Sequence, residues 1–348
     1  MNCQRGRRWL GCPRLPPMAD PASKPSKRTV FLRRTASTLG LWAVVTAAFA
    51  SRMPWAYVGL VGLLVVLATV EYSRMLRDGR VKGFPVFSIG LAVVYSALLY
   101  GLLIEGGAPR VEEAAAVPAQ APGTGLVQTE LVSVPMLPPW FEGVALFVAI
   151  VGPFVLQLRR EIRGLEAVQS VAMSLLGFVY IAFLFNFAAR LIFAVPGPGQ
   201  VPGAMLLLWV IAVTKFTDMG AYIVGSAIGK HKMIPHVSPG KTWQGFGGAI
   251  AFALLAGCGL YALFRDDMPD FSAGLHVLGG WPQVVALSVV LALVAVVGDL
   301  AESVLKRSLG VKDSGQMLPG IGGALDLIDS LCFTAPVLYF YLQWVTLR

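Results

Sequence analysis

Charge is what this sequence has least of. Only 14% of its 348 residues are Asp, Glu, Lys or Arg, while 56% are hydrophobic and the mean hydropathy is +0.70. A soluble domain carries about 25% charged residues. Too little polar surface exists to clothe a water-soluble globule, which argues against a soluble enzyme or a nucleic-acid-binding domain and for an all-α bundle of membrane helices. Cysteine is sparse too: Cys3, Cys12, Cys258 and Cys332 are scattered without metal-ligand spacing, so neither a disulfide framework nor a zinc site is indicated. Three histidines are too few and too dispersed for a histidine-rich metal centre. The net charge of +9 would suit polyanion binding in a soluble protein. In a membrane protein, excess Lys and Arg record topology and contact with anionic lipid.

What the chain has in abundance is long apolar runs. A bilayer-spanning helix needs about 20 such residues, and runs approaching or reaching that length fall at 37–51, 55–72, 84–104, 140–158, 167–193, 203–228, 246–264, 282–304 and 325–346. About nine transmembrane helices are therefore expected, the first two joined only by Ser51-Arg52-Met53-Pro54 as a tight hairpin or one broken segment. Residues 1–35 read as a basic disordered arm without a cleavable signal, in which Met18 is a candidate start. Residues 36–193 form an amino-terminal membrane region interrupted by a Pro/Ala/Gly-rich loop over 105–139, and 194–348 form a carboxy-terminal membrane region. Nine spans put twenty-two of the 28 Lys and Arg in the arm and alternate loops, and only Arg52, Arg110, Arg265 and Arg348 on the other side. By the positive-inside rule the amino terminus is then cytoplasmic.

The charges that stay within spans need a reason, because one at the bilayer centre costs about 2.5–3.5 kcal/mol on insertion scales. Most gather towards the cytoplasmic ends of the last four spans: Lys215, Asp218, Asp299, Glu302, Lys306, Arg307, Asp326 and Asp329. Glu71 and Arg190 stand apart and read as paired or snorkelling groups. In GDLAESVLKR, Asp299, Glu302, Ser303 and Lys306 share one helix face; ALDLIDS sets Asp326 and Asp329 at i, i+3 on the next helix. Between them, SLGVKDSGQMLPGIGG holds Lys312-Asp313 and enough glycine to bring backbone N–H groups to an anion. Hard oxygen ligands beside Lys and Arg suit Mg²⁺ and phosphates. The plainer reading of the same face is an ion-pair network that fixes helix packing. GKHKMIPHVSPGKTWQGFGG over 229–248 is a cationic, glycine-bearing loop suited to a soluble nucleotide. Its lysines taken singly are positive-inside markers, and Trp243 reads as an interface anchor.

At these residues the sequence resembles the phosphatidate cytidylyltransferases. Their signature stands here as SVLKRSLGVKDSGQMLPGIGGALDLID, Ser303 to Asp329, preceded by GDLAES and by TDMGAYIVGSAIGKHKMIPHVSPGKTWQG. Ile321 and Leu327 replace the family's His and Arg, Ala324 a larger aliphatic, and Gly240 and Gln244 the more usual Lys and Glu. The resemblance, strongest over 210–335, implies a multi-pass inner-membrane enzyme joining CTP and phosphatidate into CDP-diacylglycerol and pyrophosphate at the cytoplasmic face, with membrane lipids as surroundings, no nucleic-acid partner, and a homodimer left open. By that analogy Asp299 and Asp326 hold Mg²⁺, Asp329 and Asp313 support them, and Lys306, Arg307 and Lys312 bind phosphate oxygens. Ser303 and Asp218 complete the substrate site, and Ser238, Lys241 and Thr242 hold CTP. A CTP-dependent lipid kinase would use the same groups and differs only in product. A secondary transporter predicts paired repeats and mid-membrane charges, neither of which is visible. A CDP-alcohol phosphotransferase fails for want of its Asp-Gly-x-x-Ala-Arg string.

Overall fold

The computed structural model describes residues 40, 43–107, 137–196, 199–269, 271–311, 314–315 and 322–346. Eight of its helical segments are long and apolar enough to cross a membrane. They are α1 (Pro54–Asp78), α2 (Pro85–Gly107), α3 (Pro139–Gln157), a composite of α4 (Glu166–Gly177) with α5 (Phe187–Leu191), α6 (Ala204–Ile228), α7 (Trp243–Leu263), α8 (Trp281–Ser308), and α9 (Ala324–Ile328) continued by α10 (Leu331–Thr346). The chain is thus a polytopic helical bundle. Of the expected first span, residues 43–51 are helical, and the break before α1 is made at Arg52, whose φ of 54° is left-handed. The arm over 1–35 and most of the 105–139 loop lie outside the described residues.

Local chemistry sets the helix starts. Proline occupies the first turn of α1, α3 and α8, where its missing N–H has no intrahelical partner to lose. Thr242 caps α7 by accepting a hydrogen bond from the Gly245 N–H at 3.1 Å. The expected 229–248 loop is more ordered than its glycine content suggests. It is an antiparallel hairpin of β1 (Lys232–Ile234) and β2 (Ser238–Thr242), and GFGG already lies inside α7. This hairpin is the one sheet among the described residues.

Alternation of the spans puts the carboxy-terminal ends of α1, α3, α6 and α8 on the same face as the starts of α2, α4, α7 and α9. The core runs through the whole described bundle, from Tyr57 and Val65 on α1 through Trp209 on α6 to Leu338 on α10. Between α4 and α5 a π-helical turn, Phe178–Phe183, widens the helix and brings Tyr180 inside, edge-on to Phe333 of α10. Such π turns are often found at functional sites.

Candidate active site

The face shared by α6, α8 and α9 collects the unusual charges. Gly298 makes this possible: a β-carbon there would sit 2.9 Å from the Ser330 Cα and 3.1 Å from the Asp329 carbonyl. α8 therefore lies directly against the turn between α9 and α10. The next residue, Asp299, meets Asp329 across that contact, and Glu302, one turn along α8, completes the group. One oxygen from each of Asp299, Glu302 and Asp329 lies within 4.8 Å of the others. Glu302 and Asp329 are buried and Asp299 is half-buried.

Cations surround the carboxylates. Lys306 Nζ sits between Glu302 Oε2 at 2.7 Å and Asp326 Oδ1 at 2.9 Å. Lys241, from β2, pairs with Asp299 Oδ2 at 2.8 Å, and Lys215 lies 3.6 Å from Asp218 on α6. Asp326 is further engaged by the Gly323 N–H, which donates to its Oδ2 at 3.0 Å. Asp299 and Asp326, expected as one metal pair, thus carry different partners. Asp299 is grouped with Glu302 and Asp329, whereas Asp326 holds Lys306 and the start of its own helix.

Several buried polar atoms lack a hydrogen-bond partner among the described residues, and they cluster in this region. They include Glu302 Oε1, Ser314 Oγ, Ser330 Oγ and the Tyr180 hydroxyl. A buried polar atom without a partner costs about 1–3 kcal/mol, so a run of them beside three carboxylates is the signature of a site completed by a ligand. An all-oxygen donor set with a free, buried carboxylate oxygen fits a hard divalent cation such as Mg²⁺.

A cleft of about 470 Å³ opens beside Asp299, lined by Asp218, Lys232, Ser238, Lys241 and Thr242 among others. Of the residues expected at the site, Asp218, Ser238, Lys241, Thr242 and Asp299 line this cleft; Lys306 and Asp326 form the adjoining ion-pair cluster. Arg307 is exposed and directed to the Val237 carbonyl. Ser303 is half-buried one residue beyond Glu302 on α8. Lys312, Asp313 and Ile321 lie outside the described residues. Gln244, one of the departures, holds the hairpin base: its Oε1 accepts from the backbone N–H groups of Lys230 and His231, and its Nε2 bonds the His231 ring at 2.7 Å. Leu327, another, packs on the apolar core.

Two further residues belong to this region that the sequence did not place there. Glu71, buried on α1, accepts a hydrogen bond from the Leu325 N–H at 3.0 Å and lies against the α-carbons of Gly315 and Gly323. A β-carbon at Gly323 would collide with the Ser314 hydroxyl and come within 2.6 Å of Glu71 Oε2, so only glycine admits this carboxylate. Tyr180 was hidden by its apolar neighbours. Its one advance signal was an aromatic hydroxyl placed mid-span.

A family model described as the cytidylyltransferase family matches residues 32–345. The chain belongs to the cytidylyltransferase family. Among curated relatives, it is 32% identical over 206 residues to the uncharacterised protein YnbB of Escherichia coli, covering 59% of this chain and 65% of that one. It is 43% identical over 140 residues to a phosphatidate cytidylyltransferase of Haemophilus influenzae, covering 40% and 46% respectively. A phosphatidate cytidylyltransferase of Mycobacterium leprae is 39% identical over 153 residues, covering 44% and 43%. The matched part therefore spans about half to just under two-thirds of these relatives' length.

Proposed function

We propose that this cytidylyltransferase-family protein transfers CMP from CTP to phosphatidate, giving CDP-diacylglycerol and pyrophosphate, in the inner membrane with its site facing the cytoplasm. The observation that carries the reading is the Asp299–Glu302–Asp329 group, with an unpartnered Glu302 oxygen, set beside Lys241 and Lys306 at the edge of a nucleotide-sized cleft. Named phosphatidate cytidylyltransferases among the relatives support the choice of substrates.

In the reaction, a phosphate oxygen of phosphatidate attacks the α-phosphorus of CTP. The bond from that phosphorus to the α,β-bridging oxygen breaks, and pyrophosphate leaves with its electron pair. A phosphate monoester is already anionic near neutral pH, so no strong general base is needed. The work left to the protein is positioning and charge neutralisation. Asp299, Glu302 and Asp329 would hold Mg²⁺, which when bound supplies neutralisation of phosphate oxygens and orients them for in-line transfer. Asp218, Ser238 and Thr242 orient the nucleotide in the cleft. Lys241 sits at the junction of cleft and carboxylates, where it faces the triphosphate. Lys306 bridges Glu302 and Asp326 and fixes the two side chains in place. Glu71 holds the start of α9, and with it the turn that carries Asp329.

The test uses full-length protein in detergent with phosphatidate mixed micelles and CTP labelled at the α-phosphate. Mg²⁺-dependent movement of label into lipid supports the reading. Label that reaches lipid only from the γ-position, with phosphatidate replaced by diacylglycerol or a polyprenol, overturns it in favour of a lipid kinase.

A further inference from the structure

A second cleft, larger than the one at the candidate active site, lies elsewhere in the described bundle. It has a volume of about 1000 Å³ and lies between the last turns of α1, the 79–85 turn and the 157–166 connection into α4. It shares no lining residue with the nucleotide-sized cleft. Alternation of the spans puts both on the same face. Six cations line it: Arg74, Arg77, Arg80, Lys82, Arg160 and Arg163. Only two carboxylates answer them, Glu161 and Glu166, which pair with Arg163 and Lys82 at 2.8 Å each. Arg74, Arg77 and Arg80 have no ion pair among the described residues and are exposed.

The cleft is also built rather than merely charged. Arg160 stacks over the Phe84 ring, 4.2 Å from its centroid, and donates to the Gly83 carbonyl at 3.3 Å, which fixes its guanidinium at the wall. Arg80 adopts a left-handed φ of 57°, a conformation non-glycine residues rarely take. The connection that forms one wall of the cleft is apolar where a soluble loop would be polar. Leu158, Ile162 and Leu165, interleaved with the arginines of the 157–166 connection, are each at least 75% exposed. Arginines alternating with exposed aliphatic residues at the ends of spans match a membrane's headgroup plane, with the charges at the phosphates and the aliphatic groups in the upper acyl region.

We propose that this cleft is a second anion site, separate from the carboxylate site, which holds the phosphate of an anionic glycerophospholipid. The shared chemistry is a phosphate oxyanion met by a cluster of cationic side chains. The exposed aliphatic residues of the 157–166 connection select the lipid over a soluble phosphate. α1 links this site to the other one: Arg74 and Arg77 reach the cleft, while Glu71, one turn earlier, holds the backbone at Leu325. Lipid charge at the membrane surface therefore acts on the helix that positions the catalytic turn.

The test is native mass spectrometry of the full chain in mild detergent, with phosphatidylglycerol or phosphatidylcholine at equal mole fraction. Phosphatidylglycerol is chosen because it is not the proposed substrate. The wild type retains phosphatidylglycerol in preference to phosphatidylcholine, and the R74Q/R77Q/R80Q variant loses that preference, with a drop of about fivefold in affinity per arginine removed. The R74K/R77K/R80K variant keeps most of it, and so does Asp329→Asn, whose change lies in the other site. If the triple glutamine variant does not fold, the single Arg77→Gln change must still lower retention. Equal retention by wild type and the glutamine variants overturns the proposal. So does displacement of bound phosphatidylglycerol by inorganic phosphate or glycerol 3-phosphate at comparable concentration, which would make the cleft a soluble-anion site.

Discussion

Two clusters of charge are embedded in this bundle, one towards each face, and they are finished in opposite ways. Near the start of α3 and the end of α5, Arg190 pairs with Glu142 and donates to the Tyr95 hydroxyl at 2.8 Å, with the Phe187 ring 4.5 Å from its guanidinium carbon. Beside it, Asn186 bonds the Tyr100 hydroxyl at 2.6 Å, Ser96 at 2.9 Å and the Ala182 carbonyl at 2.6 Å. One nitrogen, Arg190 Nε, is left without a partner. At the other face, partnerless atoms accumulate on Glu302, Ser314, Ser330 and Tyr180 around three close carboxylates. A charge that serves packing is nearly saturated by the protein, with one Arg190 nitrogen left over. A charge that serves chemistry keeps valences open for what binds.

The sharpest way to break that contrast is to neutralise each cluster without changing its shape. Asp329→Asn and Glu302→Gln should each lower transfer of α-labelled CMP into lipid on the order of 10²–10³-fold, the loss typical of removing one preorganised electrostatic group. Membrane insertion and helix content, read by circular dichroism, should stay at wild-type levels. A variant that keeps a tenth or more of wild-type transfer would place the chemistry elsewhere.

Arg190→Met should behave in the opposite sense, costing about 1–3 kcal/mol of stability because it leaves the buried Tyr95 hydroxyl without its partner and unpairs the half-exposed Glu142. The double change Arg190→Met with Glu142→Leu should recover most of that loss in a thermal unfolding assay, since an ion pair can give way to packed apolar groups. No apolar replacement should rescue Asp329. Recovery there would erase the distinction between the two clusters.

Smaller effects sharpen the boundary of the active region. Glu71→Leu should reduce turnover about tenfold by freeing the Leu325 N–H, on the scale of one lost buried hydrogen bond to a charged group. Glu71→Gln, which keeps an acceptor, should restore most of it, with the Michaelis constant for CTP little changed in both. Thr242→Ala should remove the α7 cap and cost about 1 kcal/mol. The same substitution should raise the Michaelis constant for CTP, because the residue also lines the nucleotide-sized cleft. A change in stability alone would remove Thr242 from the binding surface.

Much of this arrangement was readable in one dimension. Hydropathy located the spans, because a lipid-crossing helix must be apolar along its whole length. The i, i+3 and i, i+7 spacings put Asp299, Glu302 and Lys306 on one face before any tertiary contact is considered. The 229–248 segment is a connection between spans, as its glycines indicate, but the pairing of β1 with β2 is not legible there because neither short strand alternates apolar with polar residues. Glu71 and Arg190 were set apart for a different reason: their partners are distant in sequence, Leu325 lying 254 residues from Glu71 and Glu142 lying 48 from Arg190.

The sequence by itself determined that the chain is a helical membrane protein, which face carries its cations, and which short stretch gathers its carboxylates. These follow from solvation and helical periodicity, which act on neighbouring residues. Tertiary structure alone decided that Asp299 and Glu302 meet Asp329 while Asp326 turns to Lys306, that Glu71 holds the start of α9, and that six cations from the end of α1 and two connections line one cleft. Each of those depends on how closely two helices approach, as at Gly298, and close approach is a property of packed surfaces that no local pattern encodes.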